Sequence, residues 1–250
     1  MKKLKLSILA IGGFLLSSTM TMKAQDQKYW ILKDEVKPAM QVEYEKASKE
    51  FAEACKTYNV PDFSFNCWRH DNGSYIYSSA IKNMADLDRD IFKTLKDKMG
   101  KEKLQALYDR LDKSYYNEHS FIVTAKNDLS FMPNGDLNAG DFRKYHFFYV
   151  TPENSKAVAE KLKEIKDLFA KKGSKEYYLI MHSGFGAPEE FYLVILGAKD
   201  AQDEDRISNE NNKLLGDDWT KKWNELFVLM TRHETETSMY RADLSYTAKK

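Results

Sequence analysis

The chain states one plan twice. Ile81-Lys82-Asn83-Met84-Ala85-Asp86-Leu87-Asp88-Arg89 aligns with Ala198-Lys199-Asp200-Ala201-Gln202-Asp203-Glu204-Asp205-Arg206 at a separation of 117 residues. Lys126-Asn127-Asp128-Leu129-Ser130-Phe131 aligns with Arg241-Ala242-Asp243-Leu244-Ser245-Tyr246 at a separation of 115. Two matches in the same order, at nearly the same spacing, restrict the chain to folds that use one unit of about 110 residues twice. The turn-rich run Pro133-Asn134-Gly135-Asp136-Leu137-Asn138-Ala139-Gly140 lies between the copies and marks their boundary.

Hydrophobic periodicity gives each copy the order strand, helix, strand, strand, helix, strand. In the first, Tyr29 to Lys33 reads as a short strand. Met40, Tyr44, Ala47, Phe51, Ala54 and Tyr58 fall on one helical face, and Asn59-Val60-Pro61-Asp62 ends that helix. Phe63 to Arg69 and Tyr75 to Ala80 flank Asp71-Asn72-Gly73-Ser74, a hairpin signal. Leu87 to about Tyr116 is helical with a break near Gly100, and Ser120 to Phe131 closes the unit. The second copy reads Tyr145 to Val150, Ser155 to Lys172, Tyr177 to His182, Phe191 to Leu196, a helical region ending near Thr231, and Ser238 to Tyr246.

This order is the ferredoxin-like βαββαβ plan, an antiparallel sheet with both helices on one face. Its other face is bare, and two units in one chain can cover each other's. The expected class is therefore α+β, two tandem ferredoxin-like units packed sheet to sheet as a pseudo-dimeric α/β barrel. In element order and duplication the chain resembles the dimeric α/β-barrel superfamily, with its NIPSNAP-like, EthD-like, antibiotic-monooxygenase-like and haem-degrading groups. The resemblance covers nearly all of the chain beyond its first segment. It implies oxygenase or isomerase chemistry, in some members with haem.

Hairpin register selects the candidate site. A two-residue Asn72-Gly73 turn sets His70 opposite Tyr75, Trp68 opposite Tyr77 and Asn66 opposite Ser79. One face is then Phe65, Cys67, Arg69, Ile76, Ser78 and Ala80. The other is Asn66, Trp68, His70, Tyr75, Tyr77 and Ser79, aromatic walls with polar tips, suited either to a ligand cavity between the halves or to a half-solvated surface. The second half places Tyr178, Ile180, His182, Tyr192, Val194 and Leu196 on the corresponding interior face. Each hairpin puts a histidine just before its turn, His70 and His182, and these are the candidate acid/base residues. By period-two alternation Lys126 with Asp128, and Arg241 with Asp243, share a face of each closing strand. The alternative for these four is ordinary ion pairing at strand ends.

Residues 1–24 read as a leader: Lys2, Lys3 and Lys5 precede an apolar run from Leu6 to Leu16, and Ala24 is the expected cleavage point. That run is too short to span a bilayer, and no later segment is longer. The expected organisation is 1–24 signal peptide, 25–133 first half, 134–144 linker and 145–250 second half, exported to the periplasm or beyond the cell. The whole chain has 39 Lys+Arg against 38 Asp+Glu; removing Lys2, Lys3, Lys5 and Lys23 leaves 35 − 38 = −3. Such a balance gives no footprint for nucleic acid. Export permits a disulfide, and Cys67 on the helix side with Cys55 near the buried helix face makes a Cys55–Cys67 bridge one expectation, two buried thiols the other.

Local motifs exclude several chemistries. His70, His119, His146, His182 and His233 have no metal-ligand spacing, so no metal is expected. Neither G-x-S-x-G nor a Walker sequence occurs. Three functions remain: binding of a small hydrophobic or aromatic ligand in or near the cavity between the halves; a cofactor-free or haem-linked barrel enzyme using His70 or His182; and a structural or interaction protein of the cell envelope.

Overall fold

A computed structural model describes residues 26–137 and 140–249. The expected signal peptide lies outside the described residues. The elements are β1 (Lys28–Val36), α1 (Gln41–Tyr58), β2 (Asn66–His70), β3 (Tyr75–Ile81), α2 (Lys93–Met99), α3 (Lys101–Ser114), β4 (Tyr115–Ala125), β5 (Phe142–Tyr149), α4 (Pro152–Lys172), β6 (Tyr178–Ser183), β7 (Phe191–Ala198), α5 (Ala201–Leu215), α6 (Asp217–Phe227) and β8 (Arg232–Tyr240). The strands close an antiparallel barrel in the order β1-β3-β2-β8-β5-β7-β6-β4. Two seams, β2 with β8 and β4 with β6, join the first half of the chain to the second.

Both repeated sequences are structural punctuation. Where β3 turns towards its helices, Lys82 N–H donates to the Asp86 carboxylate, which also pairs with Arg89 at 3.2 Å. After β7, Lys199 N–H donates to the Asp203 carboxylate, which pairs with Arg206 at 2.7 Å. The second repeat forms a clasp at each seam. Ser130 Oγ donates to the Lys126 carbonyl and accepts the Ile180 N–H of β6; Ser245 Oγ donates to the Arg241 carbonyl and accepts the Cys67 N–H of β2. These side-chain bonds offer the backbone an alternative to the ladder. The closing strands consequently stop at Ala125 and Tyr240, well short of the expected Phe131 and Tyr246. The same shift starts β8 at Arg232, so His233-Glu234-Thr235-Glu236 is strand where a polar connection is expected.

The first hairpin corrects the expected register by one residue. Trp68 faces Ile76 and Cys67 faces Tyr77, and the His70 and Ser74 backbones bond to each other across a three-residue turn. A type I′ turn needs positive φ at both central residues, but only Gly73 has it, at 84°. Asn72 instead turns its side-chain oxygen onto the Ser74 N–H at 2.9 Å, which fixes the longer loop. A one-residue slip reverses every side chain on β3. Trp68 and His70 now share a face with Ile76 and Ser78, while Tyr75 and Tyr77 join Cys67 beneath the helices.

The second half inverts the expected faces outright. Phe191, Leu193 and Ile195 of β7 cluster with Tyr145, Ile31 and Val123 inside the barrel. Tyr178, Ile180, Tyr192 and Leu196 pack outward against Val158, Leu162, Ile165, Leu168 and Phe169 of α4. Period-two alternation separates the two sets, but both are apolar here, so sequence pattern cannot say which is inside. Each large side chain removed from water contributes about 1.5–3 kcal/mol. With four on the outer face of β6 and β7, the helix side competes fully with the barrel interior.

Both cysteines are free thiols, and the expected disulfide is absent. Cys55 packs with Ala52, Val60 and Leu95, whereas Cys67 packs with Tyr44, Tyr75 and Leu244, so different clusters enclose the two sulfurs. Burial pushes the Cys55 thiol up to about 12, which leaves it inert as a nucleophile.

Candidate functional site

Each half holds a cavity outside the barrel, between its strands and its helices. The first, of about 160 Å³, has a floor of Trp30, Leu32 and Asp34 from β1, Tyr77 and Ser79 from β3, and Glu118 from β4. Its roof is Tyr44, Ser48 and Phe51 of α1, Phe92, and Tyr108, Leu111 and Asp112 of α3. One end is a box of rings: Phe92 meets Phe51 and Phe63 edge-on at 5.1 and 5.4 Å between centroids, and Trp30 lies 6.4 Å from Phe63. The other end is acidic. Asp34 and Glu118 are cross-strand neighbours, and Tyr115 OH holds Asp112 beside them at 2.7 Å.

Asp34 is the buried carboxylate of this cavity, 5% exposed, and the Ser48 and Ser79 hydroxyls line it as well. Tyr44 OH donates to its Oδ2, and the Tyr44 oxygen lies 3.1 Å from that of Tyr77. With the Tyr44 proton committed to Asp34, Tyr77 supplies the proton of the second bond. Among the described residues, Asp34 Oδ1 has no hydrogen-bond partner. Burial raises the Asp34 carboxyl to about 7; the Tyr44 bond opposes this, and the charges of Glu118 and Asp112 add to it. Such a group changes protonation at neutral pH, which a proton acceptor requires.

The second cavity, about 230 Å³, lies under α4, α5 and α6. His146 Nδ1 and His233 Nε2 are 3.1 Å apart, with their rings stacked at 12°. Burial depresses the His146 imidazole to about 4, with a further push from His233, and burial lowers His233 as well. Trp219 and Trp223 form a wall; Glu176, raised to about 7 by burial, supplies a polar edge. Tyr178 OH is buried with no partner among the described residues.

The sequence candidates do not converge on either cavity. His70 faces the barrel interior, stacked on Tyr145 at 4.9 Å, with Nδ1 2.6 Å from Glu236 Oε2. His182 faces outward on β6, stacked on Tyr192 at 4.4 Å and 3.0 Å from Glu190. Trp68 stands in the interior near Tyr240 and under the Arg143 guanidinium, while Asn66 accepts from Tyr240 OH at 3.3 Å. Tyr75 OH donates to Glu45 on the helix side. Lys126 pairs with Asp26 at 2.6 Å, Asp128 is exposed, and Arg241 pairs with Glu45 at 2.7 Å and Asp243 at 2.9 Å. Of the residues expected on the two interior faces, Tyr77 and Ser79 line the first cavity, and Tyr178, Ile180, Val194 and Leu196 line the second. Asp34 escapes sequence reading because it sits in Lys33-Asp34-Glu35, where an acidic residue at the end of a strand looks solvated. No group of three His, Cys, Asp or Glu among the described residues is placed to hold a metal ion. No helix among them is long and apolar enough to cross a membrane.

Several solved structures share this architecture. An anthrone oxidase-like protein superposes with a TM-score of 0.60 at 11% identity, covering 91% of this chain and 95% of its own. A mutant chlorite dismutase from Candidatus Nitrospira defluvii, in complex with cyanide, superposes at 0.53 and 9% identity, covering 87% of this chain and 92% of its own. At such identities the likeness concerns the fold alone, a closed barrel flanked by helices, and these neighbours are dimeric α/β-barrel proteins. No protein-family model and no curated protein matches the sequence.

Proposed function

We propose that this protein binds a small aromatic molecule in the cavity beneath α1 and α3, with Asp34 as the molecule's polar partner. The observation that carries this reading is the Asp34 carboxylate, 5% exposed, with one oxygen lacking a partner beside a box of aromatic rings. A buried acceptor left unmade costs about 1–3 kcal/mol, and a ligand donor would recover it. Titration calorimetry with a panel of single-ring aromatics tests the reading. Phe63→Ala opens the ring box and is expected to weaken any ligand found by at least about tenfold, a loss of about 1.4 kcal/mol. Unchanged affinity would remove this cavity from consideration.

A second reading, an enzyme, is favoured by the Asp34 carboxyl at about 7 and by the names of the structural neighbours. In that reading Asp34 takes a proton from the bound ring system, Tyr44 holds the carboxylate in place, and the ring box excludes water. Dioxygen uptake with single-ring phenols is the assay. The expected profile has an acidic limb near pH 7, with activity rising as Asp34 loses its proton, and Asp34→Asn abolishes it; an unaltered profile in that variant would dismiss the assignment.

Haem fits neither of these two cavities. The larger of the two cavities, at about 230 Å³, falls below the roughly 300–1,000 Å³ of pockets that enclose drug-sized ligands. Its two imidazoles are moreover bonded to each other.

The same proposal treats residues 25–133 and 145–250 as ferredoxin-like units joined by 134–144. The strand neighbours β4-β1-β3-β2 and β8-β5-β7-β6 support it. Export belongs to the proposal too, and N-terminal sequencing of the protein recovered outside the cytoplasm, beginning at Gln25, is the test.

A further inference from the structure

The charges around the first cavity specify more than an aromatic ring. Asp34, Asp112 and Glu118 line it, and no lysine, arginine or histidine does. Buried charges are ordinarily paired with an opposite charge or a full set of hydrogen bonds. Asp34 is almost entirely buried and keeps one oxygen without a partner, and the wall supplies no cation at the place where negative charge accumulates. The rings lie at the other end: Trp30, Phe51, Phe63 and Phe92 present π faces and edges to the same space. Faces of this kind attract cations as well as apolar rings. Volume sets the size, because a cavity of about 150 Å³ lined by apolar side chains holds one benzene ring; the 160 Å³ here is of that order.

We infer that the ligand of this cavity is a protonated amine carried on a single aromatic ring by a short aliphatic arm. The ring lies among Trp30, Phe51, Phe63 and Phe92, and the ammonium lies among Asp34, Asp112 and Glu118 and donates to Asp34 Oδ1. The inference rests on the reading of this cavity as an aromatic site and adds the sign of the ligand's charge. A carboxylate-bearing ring would meet three acids and be rejected. An uncharged isostere would fill the ring box but leave the acids without a counter-charge.

Titration calorimetry on the full protein with three probes of one size decides the matter: 2-phenylethylamine, 2-phenylethanol and 3-phenylpropionate. The amine is expected to bind at least tenfold more tightly than the alcohol, and the acid to bind more weakly than both. Asp112→Asn alters an exposed carboxylate and spares the buried network, so it is the variant least exposed to folding loss. It is expected to weaken the amine severalfold and leave the alcohol unchanged, with Asp34→Asn producing the larger effect of the same kind. Alcohol binding equal to or tighter than amine binding would overturn the ammonium while leaving the aromatic site standing. Preference for the acid would do the same. Failure of all three probes to bind would overturn the site reading along with the inference.

Discussion

Lys28 pairs with Ile81 and Phe142 with Ala198, the two ends of the first repeat, so β1 and β5 correspond at a separation of 142 − 28 = 114. Asp34 then matches Phe148, and Leu32 matches His146. The seam clasps, Lys126 and Arg241, set β4 and β8 apart by 241 − 126 = 115, which matches Glu118 with His233. At equivalent places, one cavity therefore has carboxylates where the other has a phenylalanine and an imidazole. The caps and clasps that hold the halves in place repeat the same bonds, while the walls of the two cavities have diverged. Positions that close the barrel tolerate little variation in bonding pattern. Positions that only line a void are free to change sign and polarity.

The largest expected effect breaks this correspondence directly. Phe148 is buried against Trp223, and Phe148→Ala should destabilise the protein by about 3–5 kcal/mol. Asp34→Asn, at the matching place, should cost far less, since it keeps the shape and relieves a buried charge. Urea denaturation of both at pH 7 compares them. Equal losses would mean that Asp34 is a packing residue like its counterpart.

Next in size is pH dependence. Asp34 titrates at about 7 when folded against 3.8 as a free side chain. Between those values the folded chain keeps a proton that the unfolded chain has lost, so stability falls as pH rises, by up to about 4 kcal/mol. Asp34→Asn should remove that fall. In the second half Glu176, at about 7, slopes the same way, but His146, at about 4 against 6.5, slopes the other way because the unfolded chain binds its proton first. Amide protection in β1 and α1 should accordingly decline from pH 4.5 to 6.5 while that in β5 and α4 stays level. Parallel behaviour in both halves would refute the distinction.

The clasps offer a smaller and symmetric test. Ser130→Ala and Ser245→Ala each leave one strand N–H, of Ile180 or Cys67, without its acceptor. Each should cost about 1–3 kcal/mol, and the two values should agree closely in thermal melts. Smallest is Lys126→Ala, which breaks a half-exposed pair with Asp26 worth under about 1 kcal/mol. The Arg241 counterpart holds two carboxylates, Glu45 and Asp243, and its loss should be the larger of the two.

Much of the architecture was legible because it depends on local chemistry repeated along the chain. Asn59, with φ 50°, ends α1 where the Asn-Val-Pro-Asp run predicts, and Gly100 separates α2 from α3. The candidate site was legible only in its residue types. Asn-Gly in the first hairpin suits two turns that differ by one residue, and the choice between them rests on Asn72 reaching Ser74. That choice moved Tyr75 and Tyr77 away from the face they were expected to share with Trp68 and His70. On β7 every residue but Val194 is buried, so alternation there carries no information about inside and outside.

By itself the sequence determined the repeated segments, the order of the elements and the barrel class. These follow from periodicity and short-range hydrogen bonding, which act over a few residues. Tertiary structure alone decided which face of each strand looks inward, and thereby that the aromatic-walled cavities described above lie under the helices. It also decided that Asp34, unremarkable among charged neighbours in the chain, becomes the buried acid of an aromatic cavity. Burial and partnership are properties of what packs against a residue from afar, and a single strand does not encode them.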